Sequence, residues 1–246
     1  MMPGAVNLNP VPSRRKVVML YLKKLALFSL LALALVVPCL AADEKAEKKN
    51  DPKKWEGAIA AFEKQDKEHP PKKGSVLFIG SSSIRMWKLE DSFPDLAGLN
   101  RGFGGSQIED SIYYIDRIVF PYEPRLIVMY AGDNDLAFGK SPVTVAEDFR
   151  TFVKKVREKL PRTKIAFIAI KPSIKRLNLM DNVCQANQLI RTDCDADKQL
   201  DFVDIATPML GDDGKPRPEL FIKDGLHLND EGYKLWTKVL KPYLKE

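Results

Sequence analysis

Five short apolar runs constrain this chain more than any other feature. Val76 to Ile79 runs straight into Gly80, Leu96 to Leu99 is weaker, Leu126 to Tyr130 and Ile165 to Ile170 are almost unbroken, and Phe202 to Ile205 closes the set. Near-continuous apolar runs of this length are the pattern of strands buried on both faces. The stretches between them carry helical spacing. Ser82 to Trp87 opens one helix. Ser106 with Glu109, and Thr144 with Glu147, have the spacing of capping boxes that start two more, whose apolar faces read Ile108, Ile112, Ile115 and Phe149, Phe152, Val153, Val156, Leu160. A helix covers much of 182–197. Asn229 caps a last one that carries Leu235, Trp236, Val239 and Leu240. Strands that alternate with helices require right-handed crossovers and a mainly parallel sheet covered on both sides. The expectation is one α/β domain over 73–246, a three-layer α/β/α arrangement around a mainly parallel five-stranded sheet.

The first 42 residues are set apart from that domain. Arg14, Arg15, Lys16, Lys23 and Lys24 precede the apolar stretch Leu25 to Val37, and Ala41 and Ala42 offer a cleavage site before the charged Asp43. The stretch is short of the about 20 residues a spanning helix needs. It reads as a secretory signal peptide, with Met19 as an alternative start, and implies export to the periplasm, envelope or medium. An uncleaved, membrane-anchored form and a lipid-modified Cys39 are the alternatives; no stable membrane insertion of the mature chain is expected. Removing those five basic residues lowers the formal net charge from +6 to +1, so nothing in the mature balance calls for nucleic acid or an anionic surface. Residues 43–72 read as a charged tail and a helix that shows Trp55, Ile59 and Phe62 on one face, stops at His69-Pro70-Pro71 and docks on the outside of the domain. Cys184 and Cys194 fall ten apart in a helical segment. Ten residues of helix rise about 15 Å, beyond disulfide reach, so two free, packed cysteines are expected.

In an open parallel sheet, ligands bind beyond the carboxyl ends of the strands. Three polar segments end there: Gly80-Ser81-Ser82, Asn100-Arg101-Gly102 and Gly132-Asp133-Asn134-Asp135. Asp224-Gly225-Leu226-His227 lies before the last helix and returns to the same edge. One place thus gathers a hydroxyl, an amide, an imidazole and a carboxylate. The only other histidine, His69, sits at a helix end in an exposed or capping position. With one histidine so assigned and no cysteine pair at zinc spacing, no metal site is expected.

These four segments, and their order, resemble those of the SGNH, or GDSL-type, hydrolases, over roughly residues 73 to 245. The likeness extends to bacterial GDSL-type acylhydrolases and to the catalytic subunits of platelet-activating-factor acetylhydrolases. It implies a flavodoxin-like fold and a serine esterase without metal or organic cofactor. Ser82 is the implied nucleophile, His227 its base and Asp224 the carboxylate that orients the base. The N–H groups of Ser82 and Gly102 and the side-chain amide of Asn134 are the implied oxyanion donors, and Asp135 a brace for its loop. The family usually has aspartate where this chain has Ser81, which leaves Ser81 and Ser83 as competing nucleophiles. Arg85 and Trp87 are scaffold or line the acyl pocket; Arg101, Phe103 and Lys171 are candidate substrate contacts. The implied substrate is a small-molecule or carbohydrate ester with a short acyl group. Oligomeric state is left open. Two other readings stand beside this one: a flavodoxin-like module that cradles a phosphate or flavin, and a binding protein on the same fold without catalysis.

Overall fold

The computed structural model describes residues 50–245; the expected signal peptide and most of the charged tail lie outside them. A 3₁₀ turn, Pro52–Trp55, leads into α1, Glu56–Glu68, which ends before the two prolines that cannot continue it. Strand β1, Val76–Gly80, is buried along its whole length and passes into one-turn helices α2, Ser82–Arg85, and α3, Leu89–Ser92. β2, Gly98–Gly102, is followed by α4, Ile108–Tyr113, and α5, Ile115–Ile118. β3, Leu126–Tyr130, leads to α6, Asp133–Phe138, and the long α7, Pro142–Lys159. β4, Lys164–Ile168, is joined through a 3₁₀ segment to α8, Met180–Asp195. β5, Leu200–Val203, precedes the loop that reaches α9, Asp230–Leu240.

All five strands are parallel, in the order β2-β1-β3-β4-β5. The chain runs from β1 outward to β2, then crosses back over β1 to β3. This reversal is a topological switch point, where neighbouring loops part and leave a crevice at the carboxyl edge. The ends of the three strands around it lie level: Gly80 pairs with Gly102 on one side and with Tyr130 on the other.

Strand side chains alternate between faces, and the core divides accordingly. Leu77, Ile79, Ile127, Met129, Ile165 and Phe167 pack one layer with α1, α4, α7 and α8; Val76, Phe78, Val128, Tyr130, Ala166 and Ile168 pack the other with α2, α3 and α9. Each Val, Leu, Ile, Phe or Met among them, fully buried, contributes about 1.5–3 kcal/mol.

Polar contacts hold α1 to the first of these layers as firmly as its apolar stripe does. Ile59 is fully buried, with Trp55 and Phe62 packed beside it. Arg101, 3% exposed at its side chain, pairs with Asp66, whose other oxygen accepts from Tyr122 Oη at 2.6 Å. Arg117 grips Glu63 through two nitrogens, at 2.6 and 2.7 Å.

Several boundaries differ from the sequence expectation. β2 begins two residues later than the apolar run, because Leu96 packs against the α3 side while Gly98 to Gly102 take the ladder of β1. The α4 cap is Gln107, whose N–H donates to Asp110 at 2.8 Å; Glu109 turns away toward Lys140, at 3.2 Å. α7 starts at Pro142, capped by Ser141, whose Oγ accepts from the Thr144 N–H at 3.0 Å; proline is well suited to a first helical position. Both α8 cysteines are free. Cys194 is buried, its thiol pushed up to about 12 by burial and neighbouring aspartates, but Cys184 is exposed rather than packed.

Candidate active site

The first element of the site is a turn that only glycine can make. Gly80 has φ +126°, and a Cβ there would stand 1.9 Å from the Tyr130 carbonyl oxygen. The chain thereby leaves β1 sharply, and Ser82 becomes the first residue of α2. The Ser81 carbonyl accepts from Ile84 and Arg85, whereas the Ser82 N–H has no partner among the described residues. Ser81 and Ser83 are each 1% exposed. Ser83 Oγ faces Lys171 Nζ at 3.3 Å, and Ser81 Oγ is buried without a partner. Of the three serines, Ser82 alone reaches the imidazole.

That imidazole comes from the loop before α9. His227 Nε2 lies 3.0 Å from Ser82 Oγ, and its Nδ1 lies 2.6 Å from Asp224 Oδ2. The other carboxylate oxygen accepts from the N–H groups of Leu226 and His227, both at 2.9 Å. Asp224 therefore closes its own turn and sets the ring at once. What burial it has acts to raise its pKa, but the bonds from the His227 ring and the two backbone N–H groups pull it down to about 2. A carboxylate at Nδ1 fixes the tautomer that leaves Nε2 free to accept from a hydroxyl.

The third segment presents an amide. Asn134, on the first turn of α6, donates from Nδ2 to the Ser106 carbonyl at 3.0 Å, while its Oδ1 accepts from Arg176 at 2.8 Å. One Nδ2 hydrogen remains for the pocket. Asp135, as expected, is a brace: its two oxygens accept from Ile108 N–H and Gly132 N–H, each at 3.0 Å, and burial pushes its carboxyl up to about 7.

Gly102 departs from its expected role. Its N–H is donated to Asn100 Oδ1 at 2.9 Å, and so is not turned to the pocket. Three residues on, Gly105 has φ +79° and an N–H without a partner among the described residues, and it lines the pocket with Ser82, Asn134 and His227.

Beneath these groups lies a charge cluster. Lys171, 2% exposed, is 2.9 Å from both Asp133 Oδ2 and Tyr130 Oη. Arg176 stands 2.9 Å from the same Asp133 oxygen. Burial opposes ionisation of Asp133, but the two cations outweigh it and hold the carboxyl below its ordinary value; burial also lowers Lys171. Lys171 is therefore an internal support, not a substrate contact. No three His, Cys, Asp or Glu side chains gather as metal ligands would among the described residues.

Two further expectations are corrected. Trp87 is 2% exposed, wedged among Phe78, Phe93, Tyr233 and Trp236 in the core, and it does not line the pocket around Ser82. Arg101 points away into its pair with Asp66, with its guanidinium 5.0 Å from the Phe62 ring centre. Arg85 and Phe103 do line the pocket, a cavity of about 640 Å³ whose far wall is Trp55 from the 3₁₀ turn with Ala58, Ala61 and Phe62 of α1. Sequence reasoning missed that wall, and missed Asp133, Arg176 and Gly105. Asp133 is one of two aspartates that flank Asn134, and Gly105 is one of two adjacent glycines, and residue type alone distinguishes neither from its neighbour. Arg176 lies in an irregular segment with no periodicity to mark it.

Comparison with known proteins returns a consistent picture. A family model described as the GDSL-like lipase/acylhydrolase family matches residues 83–235. Among solved structures, a Streptococcus pneumonia protein provisionally described as a platelet activating factor superposes with a TM-score of 0.71, at 23% identity over 78% of this chain and 94% of that one. A GDSL-like lipase from Bacteroides thetaiotaomicron superposes with a TM-score of 0.62, at 21% identity over 79% and 97%. A variant of an acetyl-xylooligosaccharide esterase from Geobacillus superposes with a TM-score of 0.58, at 15% identity over 72% and 96%. No curated protein sequence matches the chain.

Proposed function

The chain belongs to the GDSL-like lipase/acylhydrolase family and is a carboxylic ester hydrolase, and from that premise we propose that it works through Ser82, His227 and Asp224 by way of an acyl-enzyme. The observation that carries this reading is the continuous line from Asp224 Oδ2 through the imidazole to Ser82 Oγ, with spans of 2.6 and 3.0 Å. Ser82 Oγ attacks the ester carbonyl carbon as His227 Nε2 takes its proton. The carbonyl oxygen becomes an oxyanion within reach of three neutral donors: the N–H groups of Ser82 and Gly105 and the free hydrogen of Asn134 Nδ2. Neutral donors aimed at developing charge are the largest single source of rate in such sites. His227 then returns the proton to the departing alcohol. A water molecule repeats the attack on the acyl-Ser82, His227 takes its proton, and the carboxylic acid leaves as Ser82 Oγ is reprotonated. Neither half-reaction calls for a metal or an organic cofactor.

We read the protein as exported, on the strength of the basic, apolar and small-residue succession in 1–42. Its substrate is a small-molecule or carbohydrate ester with a short acyl group, in keeping with the acetyl esterase among the similar folds; a cavity of about 640 Å³ leaves room for an alcohol of either kind.

The test is hydrolysis of p-nitrophenyl acetate, butyrate and octanoate by residues 43–246, beside Ser82→Ala and His227→Ala. Turnover that falls at least about 10³-fold in both variants, with fluorophosphonate labelling of the unaltered protein at Ser82, is the expected result. Normal turnover by Ser82→Ala would refute the serine mechanism. Failure of the unaltered protein both to hydrolyse any ester and to be labelled would leave a binding protein on this fold.

A further inference from the structure

The wall opposite the nucleophile has a mixed chemistry. Trp55, Phe62 and Phe103 supply aromatic surface, Ala58 and Ala61 leave space between them, and no Asp or Glu lines the cavity among the described residues. Among the described residues only one permanent charge lines it, the guanidinium of Arg85, three residues after Ser82. Arg85 is exposed and its guanidinium forms no hydrogen bond or ion pair with any described residue, unlike Arg101, Arg117 and Arg176, each of which has a carboxylate partner. It is also placed. Its side chain lies along the backbone of Gly104, where an added Cβ would come within 3.1 Å of Nε and 3.2 Å of the terminal nitrogen. Gly104 therefore makes room for the guanidinium beside Gly105, whose N–H is one of the proposed oxyanion donors. The carboxylates beside the site are all committed: Asp224 to His227, Asp133 to Lys171 and Arg176, and Asp135 to the Ile108 and Gly132 N–H groups. A planar fork of donors with no internal partner, beside an apolar wall, suits an oxyanion carried on an otherwise apolar group.

We propose that Arg85 is an anion-binding residue of this pocket, and that the protein acts on esters whose non-reacting part joins an apolar portion to an oxyanion, a carboxylate in the simplest case. The apolar portion lies against α1 and Phe103; the carboxylate meets the Arg85 fork. The inference rests on the esterase reading above.

Two matched pairs of esters test it: 4-acetoxybenzoate against its methyl ester, with the charge on the alcohol, and p-nitrophenyl hemisuccinate against p-nitrophenyl butyrate, with the charge on the acyl group. Each kcat/KM is divided by the ester's own alkaline hydrolysis rate. The expected result is a preference of about tenfold or more for the charged member of at least one pair at low salt, shrinking as ionic strength rises. In Arg85→Gln the ratio falls to about one, and Arg85→Lys, which keeps the charge but loses the fork, retains part of it. Equal or faster turnover of the neutral member in both pairs would overturn the proposal, as would an unchanged ratio in Arg85→Gln. No hydrolysis of any of the four esters would instead remove the esterase reading, and this inference with it.

Discussion

The Arg176 guanidinium donates to Asn134 Oδ1 across 2.8 Å, and this bond decides which way the Asn134 amide faces. A guanidinium can only donate, so the oxygen must turn to Arg176 and the NH₂ toward Ser106 and the pocket. Arg176 is in turn steadied by Asp133, which Lys171 also holds. Asn134→Ala should lower kcat about 10²–10³-fold, the usual cost of an oxyanion donor. Arg176→Met should lower kcat by part of that factor with little change in KM, and should add nothing in an Asn134→Ala background. A double-mutant cycle measured as kcat reads this directly; full additivity would separate Arg176 from the amide.

Asp224 titrates far below the working range. Its folded pKa of about 2 is below the ordinary carboxylate value, so the stability it lends is present above pH ~4 and is lost only as the pH falls through ~2. Asp224 should therefore stay charged from pH 7 down to 4, whereas Asp135, pushed up to about 7 by burial, takes up a proton in that range. Asp224→Asn, which loses the charge that fixes the tautomer, should cost about 10²–10⁴-fold in kcat at neutral pH. A difference in urea midpoint between the unaltered protein and Asp224→Asn that already shrank between pH 7 and 4 would contradict this low pKa.

Gly80→Ala should cost at least about 3 kcal/mol in urea unfolding. The added Cβ would meet backbone rather than a movable side chain, at a φ that L-residues rarely adopt. A midpoint within error of the unaltered protein would show that the β1 exit relaxes freely.

Asp66→Ala should destabilise the fold by about 3 kcal/mol, because it leaves the Arg101 guanidinium buried without its carboxylate. The loss would be seen as a lower urea midpoint, and as a higher KM for esters that lean on α1. An unchanged midpoint would show that Tyr122 Oη and the Asn100 carbonyl satisfy Arg101 by themselves.

The architecture could be read from the chain because its signals were of one kind and strong. Buried parallel strands such as Leu126–Tyr130 and Ile165–Ile168 are apolar without interruption, and Phe149, Phe152 and Val156 mark α7 by period alone. The site could be read where a motif ties residue type to a fixed neighbour: Asp224 lies three residues before His227, and Gly132 two before Asn134. Reading failed where function depends on direction rather than identity. Gly102 and Gly105 look alike in a sequence, and only the Asn100 side chain, folded back onto one of them, leaves the other free. Trp87 and Arg101 are polar or aromatic residues beside motif serines and glycines, yet their side chains leave the sheet edge on the core side. Arg176, supplied from a kinked 3₁₀ segment, has no local signal at all.

In the proposed mechanism the cup that receives the oxyanion and the arm that moves the proton are anchored very differently. Ser82 and Gly105 follow strands whose ends are level on adjacent rungs, and Asn134 follows the neighbouring one. The imidazole hangs from an exposed turn 145 residues from Ser82 in sequence, steadied by a carboxylate that is 42% exposed. On warming, such a molecule should fall silent before it falls apart: turnover would fade at temperatures where circular dichroism still reports an intact sheet, and would return in full on cooling.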